Sequence, residues 1–169
     1  MDISTQLFLK RGGEYTLLTR DEVDMDDVVL FKHTPCNSRR THIFFASPRQ
    51  LIETSLICPT CSGELELVTT LITMVNEIFN NPKLLDNSLT FALNNKKICI
   101  DYLGLTYMRN HKLTSDAIDY IEARRLKFDK YLYFTYHDLR SDINKCKESL
   151  IKLLEDINDE ITSTHDNRK

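Results

Sequence analysis

The stretch that decides the fold is residues 33–66, HTPCNSRRTHIFFASPRQLIETSLICPTCSGELE. It contains a C-x-x-C pair, Cys58-Pro59-Thr60-Cys61, and opens on His33-Thr34-Pro35-Cys36, which has the same two-residue gap. Two cysteines at this spacing can aim both thiolates at one ion, because the chain turns sharply between them. A structural zinc takes four such donors in a tetrahedron. The whole pattern is H-x2-C-x21-C-x2-C, which assigns His33, Cys36, Cys58 and Cys61 as metal ligands. His42 competes with His33 for the fourth position, at the spacing C-x5-H from Cys36. His33 is favoured because its gap mirrors that of the second knuckle. The 21 residues between the knuckles leave room for a strand and a connector that carries the chain back.

The expected cofactor is one structural Zn2+. Catalytic zinc keeps an open position for water and usually has a carboxylate near it as a general base. The sequence has no H-E-x-x-H, and the deaminase pattern of His-x-Glu followed by Pro-Cys-x-x-Cys lacks its first half. A redox role for the C-x-x-C would require a thioredoxin-like βαβ context, which the downstream segment does not supply. Zinc would then contribute folding free energy to a region whose own core is thin.

The rest of the composition narrows the class. The chain has 169 residues, 41% hydrophobic and 28% charged, enough to bury a core as one domain or two small ones. A net charge of −3 and a pI near 5.9 give no global basic field for nucleic acid. Five cysteines at irregular spacing do not form a disulfide framework, so a reducing intracellular compartment is expected. No apolar run reaches the roughly 20 residues of a membrane span. With only four glycines there is no phosphate-binding loop.

Along the chain, TQLFLKRGGEYTLLT predicts a β-hairpin turning at Gly12-Gly13. VVLFK and THIFFAS predict strands. SPRQLIETSLI is ambiguous, with Ser47 able to cap a short helix that has Pro48 at its first position. ELELV reads as a strand after a Ser62-Gly63 turn. From about residue 69 the period changes: Leu71, Ile72, Val75, Ile78 and Phe79 have helical spacing, ended by Asn81-Pro82. A second hairpin turns at Asn94-Asn95, and TSDAIDYIEARRLKF follows as a capped amphipathic helix. YLYFTY fits either a strand or the start of the next helix. A long helix is expected from about Asp138 to Ile161, striped by Leu139, Ile143, Cys146, Leu150, Leu153, Leu154, Ile157 and Ile161.

The fold class is therefore α+β: a zinc-stabilised β-rich region over 1–68, then a mainly helical region over 69–169 with one β-hairpin, ending in a long amphipathic helix. Cys99 and Cys146 are expected in the core, and His111 and His137 on the surface. The last helix either packs into the core or offers its heptad-spaced stripe to a partner. Arg39 and Arg40, directly after the first knuckle, are the candidate nucleic-acid contacts, weighed against a solvated charged face.

The sequence CPTCSG in this setting resembles a zinc ribbon or a treble-clef knuckle, whose second half often reads C-P-x-C followed by a small residue. RING and U-box domains also use Cys/His pairs ending in C-P-x-C. With no cysteine before Cys36, however, this chain lacks the eight ligands of a two-zinc RING. The Asn-, Asp-, Ile- and Lys-rich, tryptophan-free composition looks like that of a small protein from a large DNA virus. Over residues 33–63 it resembles the baculovirus RING/U-box-like nucleocapsid-assembly proteins. That resemblance implies a non-enzymatic role in virion assembly, protein partners among capsid components, and a nuclear or virion location. The alternatives are a transcription-associated zinc ribbon that contacts nucleic acid and a degenerate RING/U-box ubiquitin-ligase module.

Overall fold

The computed structural model describes residues 2–19, 22–35, 40–85 and 89–166, with side chains described as far as residue 160. It is a mixed α and β protein that divides into two compact units. The first comprises residues 1–64 and 104–114, and the second residues 65–103 and 115–169. The sequence placed one boundary at residue 68. The two units divide at residue 64, and the segment 104–114 returns to the first.

The first unit opens with a helix, α1 (Ile3–Arg11), where the glycine pair had suggested a hairpin. The Asp2 carboxylate caps it by accepting the Thr5 N–H at 2.9 Å. Gly12, at φ +67°, ends it and donates its N–H to the Phe8 carbonyl. The glycine thus ends a helix rather than turning a hairpin, in a positive-φ conformation that glycine adopts far more readily than other residues. Arg11 then fixes α1 in place, donating to the carbonyls of Leu51, Thr54 and Leu56 at 2.7, 3.0 and 2.7 Å.

Three antiparallel strands follow, in the order β1 (Tyr15–Leu17), β2 (Val29–His33), β3 (His42–Ala46). Both longer strands were expected. Pairing runs Tyr15 with His33 and His33 with His42, so these three residues share one face at one end of the sheet. Phe31, Phe44 and Ala46 continue that face, and Phe31 is fully buried. The opposite face leaves Ile43 and Phe45 exposed, Phe45 at 71%, and Leu18 and Val28, just outside β1 and β2, are exposed as well.

Ser47 caps α2 (Pro48–Glu53) in a full capping box with Gln50, and Pro48 sits in its first turn. A single helical turn, α3 (Pro59–Ser62), carries the C-x-x-C and ends on Gly63 at φ +74°. The short hairpin of β6 (Met108–Arg109) and β7 (Lys112–Leu113) belongs to this unit, and the Ser55 N–H donates to the Met108 carbonyl.

The ELELV segment is helical, against the strand expectation, and starts α4 (Glu64–Ile78). The Ser62 hydroxyl accepts the Glu64 N–H at 3.3 Å. Leu67, Leu71, Val75 and Ile78 then follow the 3.6-residue period, and Leu71 and Val75 are fully buried.

The second unit is built on β4 (Leu89–Leu93), β5 (Lys96–Leu103) and β8 (Lys130–Thr135). Asn94 and Asn95, at φ +53° and +63°, form the two-residue turn between β4 and β5. YLYFTY resolves as β8, which pairs in parallel with β5, from Ile98 with Lys130 to Leu103 with Thr135. The region is thus more than helices with one hairpin: a crossover through α5 (Ser115–Lys127) adds a third, parallel strand. Phe91, Ile98, Ile100 and Phe134 pack with α4 and with the last two helices.

The expected single C-terminal helix is two. Thr135 caps α6 (Tyr136–Ser141) in a capping box with Asp138. Asp142 leaves the helical conformation, and α7 (Ile143–Asp166) restarts there, with the Asp142 side chain accepting the Lys145 N–H. Along α7, Cys146, Leu150 and Ile157 are buried, and Ile143, Leu153 and Leu154 pack beside them. The stripe packs within its own unit, the first of the two alternatives that the sequence left open.

Candidate metal centre

Three pieces of the first unit meet at one end of its sheet. β2 delivers His33, β3 delivers His42 directly opposite it, and the α3 turn delivers Cys58 and Cys61. The register matters here. His33 and His42 are cross-strand partners, so both imidazoles leave the same face, with ring centroids 6.2 Å apart. The thiols come from one turn of helix. Cys58 is its N-cap and Pro59 fixes the entry, which brings positions 58 and 61 round to a common side.

One donor atom from each of His33, His42, Cys58 and Cys61 lies within 4.8 Å of every other. The His42 Nδ1 is 3.5 Å from Cys58 Sγ and 3.2 Å from Cys61 Sγ. The His33 Nδ1 is 3.5 Å from Cys61 Sγ. This set can hold one metal ion. Among the described residues it is the only cluster of three or more such groups placed to do so.

The two histidines that the spacing offered as alternatives are thus brought together with both members of the C-x-x-C. Cys36, expected as a ligand, lies outside the described residues, as does Arg39. The four described donors make a complete set of four. Arg40 is exposed and stands outside the cluster.

Two further residues support the site, and no spacing rule marks either. Tyr15 stacks on His33 with ring centroids 4.3 Å apart and planes 20° apart. Its hydroxyl accepts the Cys58 N–H at 3.1 Å. Glu14 places a carboxylate oxygen 3.4 Å from the far nitrogen of His33, Nε2. The site is graded in exposure: Cys58 is 0% and His33 4% exposed, while Cys61 is on the surface. Desolvation, with Cys58 beside it, pushes the Cys61 thiol up from its ordinary range.

Among the described residues, the two other cysteines lie outside the cluster. Cys99 is fully buried in β5, where burial pushes its thiol up to about 11, and Cys146 is buried in α7. No known protein family, curated protein or solved structure matches this chain.

Proposed function

We propose that the four donors hold one structural zinc ion, and that the protein works by binding other proteins rather than by catalysis. The observation that carries this is the 4.8 Å cluster of two histidine nitrogens and two cysteine sulfurs. Zinc–sulfur bonds of about 2.3 Å and zinc–nitrogen bonds of about 2.0–2.1 Å, at a tetrahedral angle, separate S and N by about 3.6 Å. Three of the four sulfur–nitrogen separations here are 3.2, 3.5 and 3.5 Å, and the fourth lies within 4.8 Å. Thiolate with imidazole suits zinc, whereas magnesium and calcium take oxygen donors. Four protein donors fill a tetrahedron and leave no position for a reactive water.

Such an ion would staple the α3 turn to the ends of β2 and β3, in a unit whose apolar core is small. The exposed Ile43 and Phe45, two residues apart on the opposite face of β3, support a role in binding, since apolar side chains left open to solvent can serve an interface. A reducing compartment suits ligands that must remain thiolates. The nucleocapsid-assembly setting rests on the resemblance over residues 33–63.

Chelation tests the staple. Stripping the metal should abolish hydrogen-exchange protection in β1–β3 while the second unit, which contains no ligand, keeps its own. Unchanged protection in the first unit would refute a structural role for the metal.

A further inference from the structure

We propose that Glu14 is the positioning residue of this centre: its carboxylate holds the Nε2 proton of His33 and so commits Nδ1, with its lone pair, to the metal. The inference rests on the reading that the cluster binds zinc.

The argument starts from proton bookkeeping. A neutral imidazole carries one proton, on either Nδ1 or Nε2, and only the bare nitrogen can ligate. In His33 the two nitrogens face different chemistry. Nδ1 is 3.5 Å from Cys61 Sγ, inside the donor cluster. Nε2 is 3.4 Å from Glu14 Oε2. An ionised carboxylate can only accept, so the nitrogen that faces it is the one that carries hydrogen. The tautomer this selects is the one the cluster needs. Without the carboxylate, tautomer choice and ring rotation in the free site would each compete with binding.

Glu14 is itself held in register. It immediately precedes Tyr15 in β1, and its carbonyl accepts the Thr34 N–H at 2.8 Å, so its backbone is tied next to the end of β2. Tyr15, stacked flat on the same imidazole, restricts the ring from its face while Glu14 holds it from its edge. The His33 ring is buried, at 4% exposure, while the Glu14 carboxylate beside it stays partly open to solvent. A strand that supplies no ligand thereby sets the geometry of the site. Withdrawal of electron density by the metal makes the Nε2 proton more acidic, so this hydrogen bond strengthens as the ion binds. That coupling is how an outer carboxylate raises metal affinity.

The test is zinc affinity, measured by competition with a chromogenic chelator, for wild type, Glu14→Gln, Glu14→Ala and the exposed control Glu22→Gln. Glu14→Gln keeps the size and an acceptor oxygen but loses the charge. It should weaken zinc about tenfold, and Glu14→Ala by up to about a hundredfold, the range for outer carboxylate partners. Glu22→Gln should match wild type. In the zinc-loaded wild type, nitrogen-15 NMR of His33 should show the proton on Nε2 and the metal on Nδ1, and this N–H signal should broaden or vanish in Glu14→Ala. Wild-type affinity in both Glu14 variants, or a metal on Nε2, would overturn the proposal while leaving the zinc site standing. A wild-type protein that binds no zinc would overturn the site itself, before any variant is compared.

Discussion

His33 and His42 face each other across the β2–β3 ladder, and both turn Nδ1 toward the sulfur of Cys61, at 3.5 and 3.2 Å. One register thus supplies half of a four-donor cluster. A one-residue slip of either strand would send its histidine to the opposite face, because successive side chains alternate.

The proposed centre uses both histidines, and substitution separates this arrangement from one built on Cys36. His33→Ala and His42→Ala should each lose tight zinc binding, and Cys36→Ser should keep it. Metal analysis after gel filtration gives the answer. Loss of zinc in Cys36→Ser with retention in His42→Ala would show that the ligand set is His33, Cys36, Cys58 and Cys61.

The second unit has its own polar centre, on the α5 side of its sheet. Arg124 donates to both oxygens of Asp101, through Nε at 3.0 Å and Nη2 at 3.2 Å, and Tyr120 adds a third bond at 3.2 Å. Asp101 is 7% exposed. The carboxylate pushes the Arg124 guanidinium above its ordinary range, chiefly through these bonds. Removing one member of a buried pair leaves the other charge without its partner, so Asp101→Leu should cost roughly 3 kcal/mol. Replacing both, as Asp101→Leu with Arg124→Met, should recover much of that loss. Urea unfolding of the wild type and both variants checks this, and a double variant no more stable than the single one would contradict it.

Acid should loosen α7. Lys130 first, and Lys96 second, lower the Glu160 carboxyl from 4.5 to about 2. These contacts link β5 and β8 to the last helix. A carboxyl depressed in the folded state contributes stability above its unfolded pKa and loses it as pH falls through the folded value. The contribution is then complete above about pH 5 and fades toward pH 2. Glu160→Gln should remove this part of the acid dependence, seen as a shallower fall of the urea midpoint between those limits. Identical slopes in wild type and variant would show that the cluster contributes nothing.

Features encoded by local chemistry were legible in the sequence. Ser47 with Pro48 offered α2 as one reading of an ambiguous segment, Asn94-Asn95 announced the β4–β5 turn, and β-branched and aromatic runs announced β2 and β3. What escaped depends on context. Gly12 supplies a positive-φ backbone whether it ends a helix or turns a hairpin, and the Asp2 cap decides for the helix. β8 remained undecided because its partner, β5, lies about thirty residues upstream in a parallel pairing that local spacing does not encode. At the centre, the C-x-x-C and both histidines were visible, but their joint use depends on strand register. Glu14 and Tyr15 were invisible for the same reason, since they reach the site across β1 and β2.

The most direct test is the zinc content of protein purified without chelator, set beside the Cys58→Ser, Cys61→Ser double variant. The account predicts about one zinc per wild-type chain, the content of a closed four-ligand site, and none in the variant. Wild-type protein that is folded yet free of zinc, or a double variant that keeps its zinc, would contradict it.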